Sequence, residues 1–206
     1  MKKIGLLFGC LVLFFCLVGC NKIEKSNEPK NKEKEEEKYM TGKHNVKIEI
    51  EEYGDIELEL DADIAPITVT NFINLVNDKF YDGLTFHRII SGFMIQGGDP
   101  KGNGTGGSDK KIKGEFSSNG VENSISHKRG VISMARASYS MDSASSQFFI
   151  VHKDSTFLDG DYAAFGHVTK GMEVVDKICD NVTVEDENGT VLSRNQPIIK
   201  RISVID

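Results

Sequence analysis

Phe86-His87-Arg88-Ile89-Ile90-Ser91-Gly92-Phe93-Met94-Ile95-Gln96-Gly97-Gly98-Asp99-Pro100 sets a single cation inside an apolar run and closes on glycine. Phe86, Ile89, Ile90, Phe93, Met94 and Ile95 demand burial, so Arg88 among them either snorkels to water or is held there for a purpose. Ser91-Gly92 is a turn signal. If the chain folds back there as two strands, Arg88 and Gln96 project from one face, which then offers a ligand a fixed guanidinium, an amide and large apolar side chains. The plainer alternative is a strand pair whose Arg88 makes a structural salt bridge, and the stretch alone leaves both open.

Upstream of this stretch, residues 1–19 of the 206-residue chain read as an export signal. Lys2 and Lys3 give a positive start, residues 4–18 are almost unbroken in apolar character, and Gly19 is a small residue beside Cys20. As a lasting transmembrane helix the run is short, and no charged stop-transfer cluster follows at once. Leu17-Val18-Gly19-Cys20 resembles the lipobox of bacterial lipoproteins. The resemblance implies a lipidated Cys20 that anchors the protein to the extracytoplasmic face of the cell membrane; a plain cleaved signal or an uncleaved anchor are the alternatives. Cys10 and Cys16 lie in the signal, which leaves Cys179 alone in the mature domain. One thiol cannot staple a fold, and its apolar helical surroundings read as a buried small hydrophobe.

Residues 20–45 alternate Lys and Glu with almost nothing apolar, which reads as a solvated tether whose residues 32–38 have the option of a charged helix. Residues 46–206 suit one domain with a sizeable core. Their 25 Asp and Glu outnumber 16 Lys and Arg, which argues against a nucleic-acid surface.

Val46, Ile48 and Ile50 alternate with charged residues, and Ile56, Leu58 and Leu60 resume the alternation after Tyr53-Gly54-Asp55: a hairpin with one buried face. Pro66 starts a helix that carries Val69, Phe72, Ile73 and Val76 and runs to about Asn77. The glycines of Gly102-Asn103-Gly104-Thr105-Gly106-Gly107 are expected in positive-φ turns; no helix follows to make a phosphate loop. Residues 130–135 and 147–151 are apolar and turn-bounded, hence buried strands, with a Ser-rich surface loop between them. A further strand near 163–168, a helix carrying Met172, Val175, Ile178 and Cys179, and a last strand at 198–205 complete the tally. Many short strands, two helices and no strict βαβ alternation point to a mainly β, closed or nearly closed antiparallel sheet with helices over its openings.

The five histidines lack metal-ligand spacing, so no metal is expected. A serine hydrolase can be drawn on paper from Ser133, His87 and some acid, but there is no Gly-x-Ser-x-Gly elbow. The acids fall in turns and on polar strand faces, so no carboxylate pair stands out.

Phe86-His87-Arg88-Ile89-Ile90, residues 92–100, Gly104-Thr105-Gly106-Gly107, Ile132-Ser133-Met134-Ala135, Ser146-Gln147-Phe148-Phe149-Ile150, Phe157-Leu158-Asp159-Gly160 and Phe165-Gly166 resemble, in order and spacing, the signature segments of the cyclophilin family of peptidyl-prolyl cis-trans isomerases. The resemblance covers residues 46–206 and implies a closed eight-stranded antiparallel β-barrel capped by two α-helices. It implies Arg88 as the catalytic cation. Phe93, Met94, Phe149 and Leu158 would line a proline pocket, Gln96, Ala135, Arg136 and Gln147 would border the groove for the flanking peptide, and Phe157 and Tyr162 would complete the rim. No cofactor is implied, the partners would be proline-containing segments of exported proteins, and a monomer is expected. A proline-peptide-binding chaperone or scaffold of the same fold is the alternative. Phe157 stands where animal relatives carry a Trp that donates a hydrogen bond to cyclosporin, which implies weakened binding of that inhibitor. Tyr162 replaces their His and Arg136 their Asn, and the loop at 138–142 lacks the usual Gly and Pro.

Overall fold

The computed structural model describes residues 38–206. The expected export signal, Cys20 and most of the expected tether lie outside the described residues.

The hairpin expected from alternation is formed by β1 (Lys43–Ile50) and β2 (Gly54–Asp61), with Val46 opposite Leu58 and Ile48 opposite Ile56 on a fully buried face. The other face sets Lys47 against Glu57 and Asn45 against Glu59. β1 begins at Lys43, earlier than the apolar alternation starting at Val46 indicated, because Lys43, His44 and Asn45 already pair with Asp61, Leu60 and Glu59. Backbone pairing and the Lys43–Asp61 ion pair carry the strand past the point where burial stops marking it.

Helix α1 (Pro66–Asn77) starts on Pro66, whose missing N–H is no loss in the first turn. Ala65 at its N-cap has no side chain to accept the free backbone donors. Glu115, buried and distant in sequence, does so instead: it accepts from the Ile67 N–H (3.0 Å), the Thr68 N–H (2.8 Å) and the Thr68 hydroxyl (2.6 Å). A cap of this kind contributes about 1 kcal/mol or more.

The remaining strands are β3 (Thr85–Ile90), β4 (Met94–Asp99), β5 (Val131–Met134), β6 (Phe148–Val151), β7 (Ala164–Lys170) and β8 (Ile199–Val204), with α2 (Met172–Asn181) between β7 and β8. They form one antiparallel sheet in the order β3-β4-β6-β5-β7-β2-β1-β8. The sheet curls until its two ends meet. That seam is a Thr85–Ile198 bridge, with Phe86 N–H donating to the Pro197 carbonyl (3.0 Å) and Ile199 N–H to that of Leu84 (2.7 Å), rather than a full ladder.

Two apolar clusters follow from strand alternation. Phe148 points inward, edge-on to Phe72 and Tyr81 at 5.6 Å and to Phe86 at 6.0 Å, in the core that α1 and α2 also enter. Its neighbour Phe149 points outward into a second cluster with Met94, Val131, Val151, Leu158 and Ala164. Each such side chain, removed from water, contributes roughly 1.5–3 kcal/mol. The second cluster is the floor of the candidate site described next.

Candidate active site

β3 and β4 fold back across Ser91-Gly92, and the register sets Arg88 directly opposite Gln96. Arg88 Nη1 donates to Gln96 Oε1 (3.2 Å), and Nε donates to the Asn188 carbonyl (2.8 Å). Gln96 Nε2 donates in turn to Gln147 Oε1 (2.9 Å), whose own amide donates to the Gly106 carbonyl (2.7 Å). The guanidinium is thereby fixed at two of its nitrogens, and among the described residues Nη2 has no protein partner. Arg88 takes part in no ion pair among the described residues, so the structural salt bridge allowed by the sequence is not formed. Burial pulls its pKa below the ordinary value, against weaker opposing effects of Tyr162 and Asp186, and guanidinium stays charged at neutral pH regardless.

Beside Arg88 opens a cavity of about 800 Å³. Buried Met94, Phe149 and Leu158 form its floor, half-buried Phe93 and Tyr162 its sides, and Ala135 part of its wall. Phe157, 72% exposed, forms the rim and lies 5.6 Å from the Phe93 ring. Tyr162 stands edge-on to Phe149 at 6.0 Å and is backed by the Arg136 guanidinium, 4.9 Å from its ring centre. Arg136 is itself held by the Asp161 carbonyl (2.9 Å) and by the face of Phe116. Gln147 is the exception among the expected residues: it lines an adjoining depression of about 540 Å³ that shares Gln96, Ala135 and Arg136 with the main cavity.

A family model, Cyclophilin type peptidyl-prolyl cis-trans isomerase/CLD, matches residues 45–204. The chain belongs to this family. It is therefore an isomerase by family. Peptidyl-prolyl cis-trans isomerase B of Bacillus subtilis is 48% identical to this cyclophilin over 124 residues, 60% of the chain and 82% of the relative. A Helicobacter pylori peptidyl-prolyl cis-trans isomerase is 42% identical over 163 residues, 78% of the chain and 92% of the relative. Among solved structures, a Cryptosporidium parvum cyclophilin crystallised in the presence of the dipeptide Ala-Pro superimposes with a TM-score of 0.69 at 32% identity, covering 79% of this chain and 99% of that one.

Three parts of this cyclophilin's site escape the sequence reading. Asn188, whose carbonyl holds Arg88, lies in a loop flagged only by the turn dipeptide Asn188-Gly189. His87 lines the cavity wall, and its two buried ring nitrogens have no partner among the described residues. Ser133 does meet a histidine, but it is His127, not His87: His127 Nε2 lies 3.0 Å from Ser133 Oγ and Nδ1 lies 2.8 Å from Asp159 Oδ1. The spacing imitates a hydrolase triad, yet Ser133 and His127 are buried where no substrate reaches. The His127 ring instead stacks at 6.0 Å on Phe149, tying the pocket floor to the Asp159 turn beside Leu158. The glycine run departs from expectation in part. Gly102 and Gly104 take positive φ, but Gly106 does not; it is glycine because a Cβ there would lie 2.1 Å from Asp99 Oδ1.

The two buried histidines set a pH limit. Burial lowers the pKa of His87 and of His127 from the ordinary 6.5, although Asp99 and Asp159 respectively pull the other way. As pH falls through 6.5 the unfolded chain takes up these protons first, so stability present at pH 7 and above is lost progressively below 6.5. Carboxylates lowered in the fold, such as Asp99 and Asp159, act only in the acid range near and below their ordinary 3.8. The expected result is a urea midpoint that drops between about pH 7 and pH 5, ahead of any carboxylate effect; a flat midpoint over that range would contradict it.

Proposed function

We propose that Arg88 assists rotation about the Xaa-Pro bond, and that a lipidated Cys20 places the enzyme outside the cytoplasmic membrane, where exported proteins fold. The observation that carries the first half is a guanidinium immobilised beside an apolar slot, with Nη2 unpartnered among the described residues. Amide resonance holds the Xaa-Pro bond planar behind a barrier of about 18–20 kcal/mol, and unaided isomerisation takes roughly 10–100 s. As the bond twists, the prolyl nitrogen loses conjugation and becomes pyramidal, with its lone pair available. A fixed N–H aimed at that lone pair favours the twisted state over either planar one, and each ~1.4 kcal/mol of preference gives about tenfold in rate. Met94, Phe149 and Leu158 grip the pyrrolidine ring while the acyl side turns, and no covalent bond forms or breaks. The test is isomerisation of a short Xaa-Pro peptide by wild type and Arg88 variants; a variant without the guanidinium that matches wild type removes Arg88 from the mechanism. Phe157 has no indole N–H to donate, which supports weak cyclosporin binding.

The second half rests on the lipobox-like Leu17-Val18-Gly19-Cys20 after a positive and apolar leader. A lipid chain plus a tether gives reversible to stable membrane residence without a spanning helix. Cys20→Ser is expected to shift the protein from the membrane fraction to the soluble or unprocessed one, and the mass of the mature N-terminus to lose its lipid. Unchanged partitioning, with no lipid on the wild-type N-terminus, would leave an ordinary signal or anchor.

A further inference from the structure

From residue 46 onward the protein is acidic, 25 Asp and Glu against 16 Lys and Arg, yet its groove is the reverse. Arg88, Lys101 and Arg136 line the prolyl cavity, and Lys111 joins Arg136 along the adjoining depression. Among the described residues no Asp or Glu lines either one. Some cations elsewhere pair with acids, Lys47 with Glu49, Arg129 with Asp176, Lys170 with Glu57 and Arg201 with Glu49. The four groove cations form no ion pair among the described residues.

Four acids near the groove are hydrogen-bonded to other parts of the protein. Asp99 is buried and its oxygens accept from the backbone N–H groups of Lys101, Asn103 and Gly104. Asp161 accepts from the Ser118 hydroxyl, Asp186 from Thr190, and Asp142 from Gly114 and Asn119. Asp99 and Asp186 are thus held within their own loops and Asp161 and Asp142 by neighbouring segments; Asp186 still acts on Arg88, but the side chains that an incoming peptide meets along the described lining carry positive charge only. Arg88 is also held by the Asn188 carbonyl and the Gln96 amide, and Arg136 by the Asp161 carbonyl and the Tyr162 ring, whereas Lys101 and Lys111 are exposed and free to follow a ligand.

We propose that this groove selects proline-containing segments flanked by acidic side chains, with Lys101 and Lys111 supplying the counter-charge beyond the prolyl slot. The proposal rests on the isomerase reading and adds the substrate class. A cationic trough on an acidic surface attracts an acidic segment and repels a basic one, and the effect acts chiefly on capture, so it appears in kcat/KM and weakens with salt.

The experiment uses the full chain in non-ionic detergent and a protease-free exchange measurement on three matched Xaa-Pro peptides flanked by Glu, Gln or Lys. At low ionic strength kcat/KM is expected to fall in the order Glu, Gln, Lys, with roughly tenfold between the extremes, and the spread is expected to shrink at about 0.5 M salt. In the double variant Lys101→Glu, Lys111→Glu the Glu-to-Lys ratio is expected to collapse or invert. Because the ratio is taken within one protein, any change in absolute turnover cancels. Equal rates for the three wild-type peptides, or an unchanged ratio in the double variant, would overturn the proposal. If the Gln peptide is not accelerated at all, the isomerase reading fails and this proposal fails with it; acceleration without charge preference removes the proposal alone.

Discussion

Arg88→Ala is expected to lose about 10²–10³-fold in kcat/KM on a neutral Xaa-Pro peptide, the range found when one donor to a transition-state lone pair or oxyanion is deleted. The loss should fall mainly on kcat. On the proposed mechanism the ground-state peptide is held by the Met94, Phe149 and Leu158 floor, which the substitution does not touch, while the lone pair that Nη2 would meet exists only in the twisted state. Stability should change little, within about 1 kcal/mol. Arg88 is half-buried on the groove wall and carries no ion pair among the described residues, and the Asn188 carbonyl and Gln96 amide it releases are placed where water can replace it. Arg88→Lys separates charge from geometry. An ammonium at this site cannot hold Asn188 and Gln96 in a rigid fork and still present a directed N–H, so it should recover only a small part of the loss. Thermal denaturation beside the peptide assay is the control: an inactive variant that melts with wild type assigns the effect to chemistry, and an active one sinks the mechanism.

What the sequence discloses here is what burial writes into it. Apolar alternation reveals the β1–β2 hairpin, because a period of two fixes which side chains share a face, and the Ser91-Gly92 turn signal makes a shared face for Arg88 and Gln96 available without deciding it. Helical spacing reveals α1, and Pro66 marks its start. The cap on α1 stays hidden: Glu115 reaches it across the fold, and nothing adjacent to Ala65 announces it. The same holds for the closing seam, where Thr85 meets Ile198 through backbone groups that every residue carries. At the site, the apolar floor and the cation are legible, and the family resemblance collects them. The support behind them is not. The Asn188 carbonyl acts as a carbonyl, so its side chain is silent, and Ser133 gives no hint that His127 rather than His87 is its partner. Long-range hydrogen bonds from backbone oxygens and single polar side chains are the layer that composition and periodicity do not encode.

Gly189→Ala tests that hidden layer, and its expected effect is second only to the loss of Arg88 itself. Gly189 has φ +79°, and a Cβ there would lie 2.2 Å from the Ile89 carbonyl oxygen and 2.6 Å from Ile90 Cγ1. The glycine is therefore required twice, for its dihedral and for its lack of a side chain. Its carbonyl accepts the Ile89 N–H at 2.8 Å, so the loop is fastened to β3 beside Arg88. A methyl group must push the loop off the strand, and the Asn188 carbonyl one residue earlier moves with it, leaving Arg88 Nε unheld. Strain and the broken contact should cost about 1–3 kcal/mol of stability. Loss of alignment at the guanidinium should cost about tenfold or more in kcat, since misplacement by about an ångström is enough to weaken a directed donor. Gly120→Ala isolates the dihedral term. Gly120 has φ +72° with no atom within 4 Å of its would-be Cβ, and it lies outside the groove lining. That variant should lose about 1 kcal/mol of stability and keep full turnover. If Gly189→Ala melts early but turns over like wild type at a temperature where both are folded, then Arg88 needs no anchor at Asn188, and the pairing with Gln96 alone is sufficient to aim it.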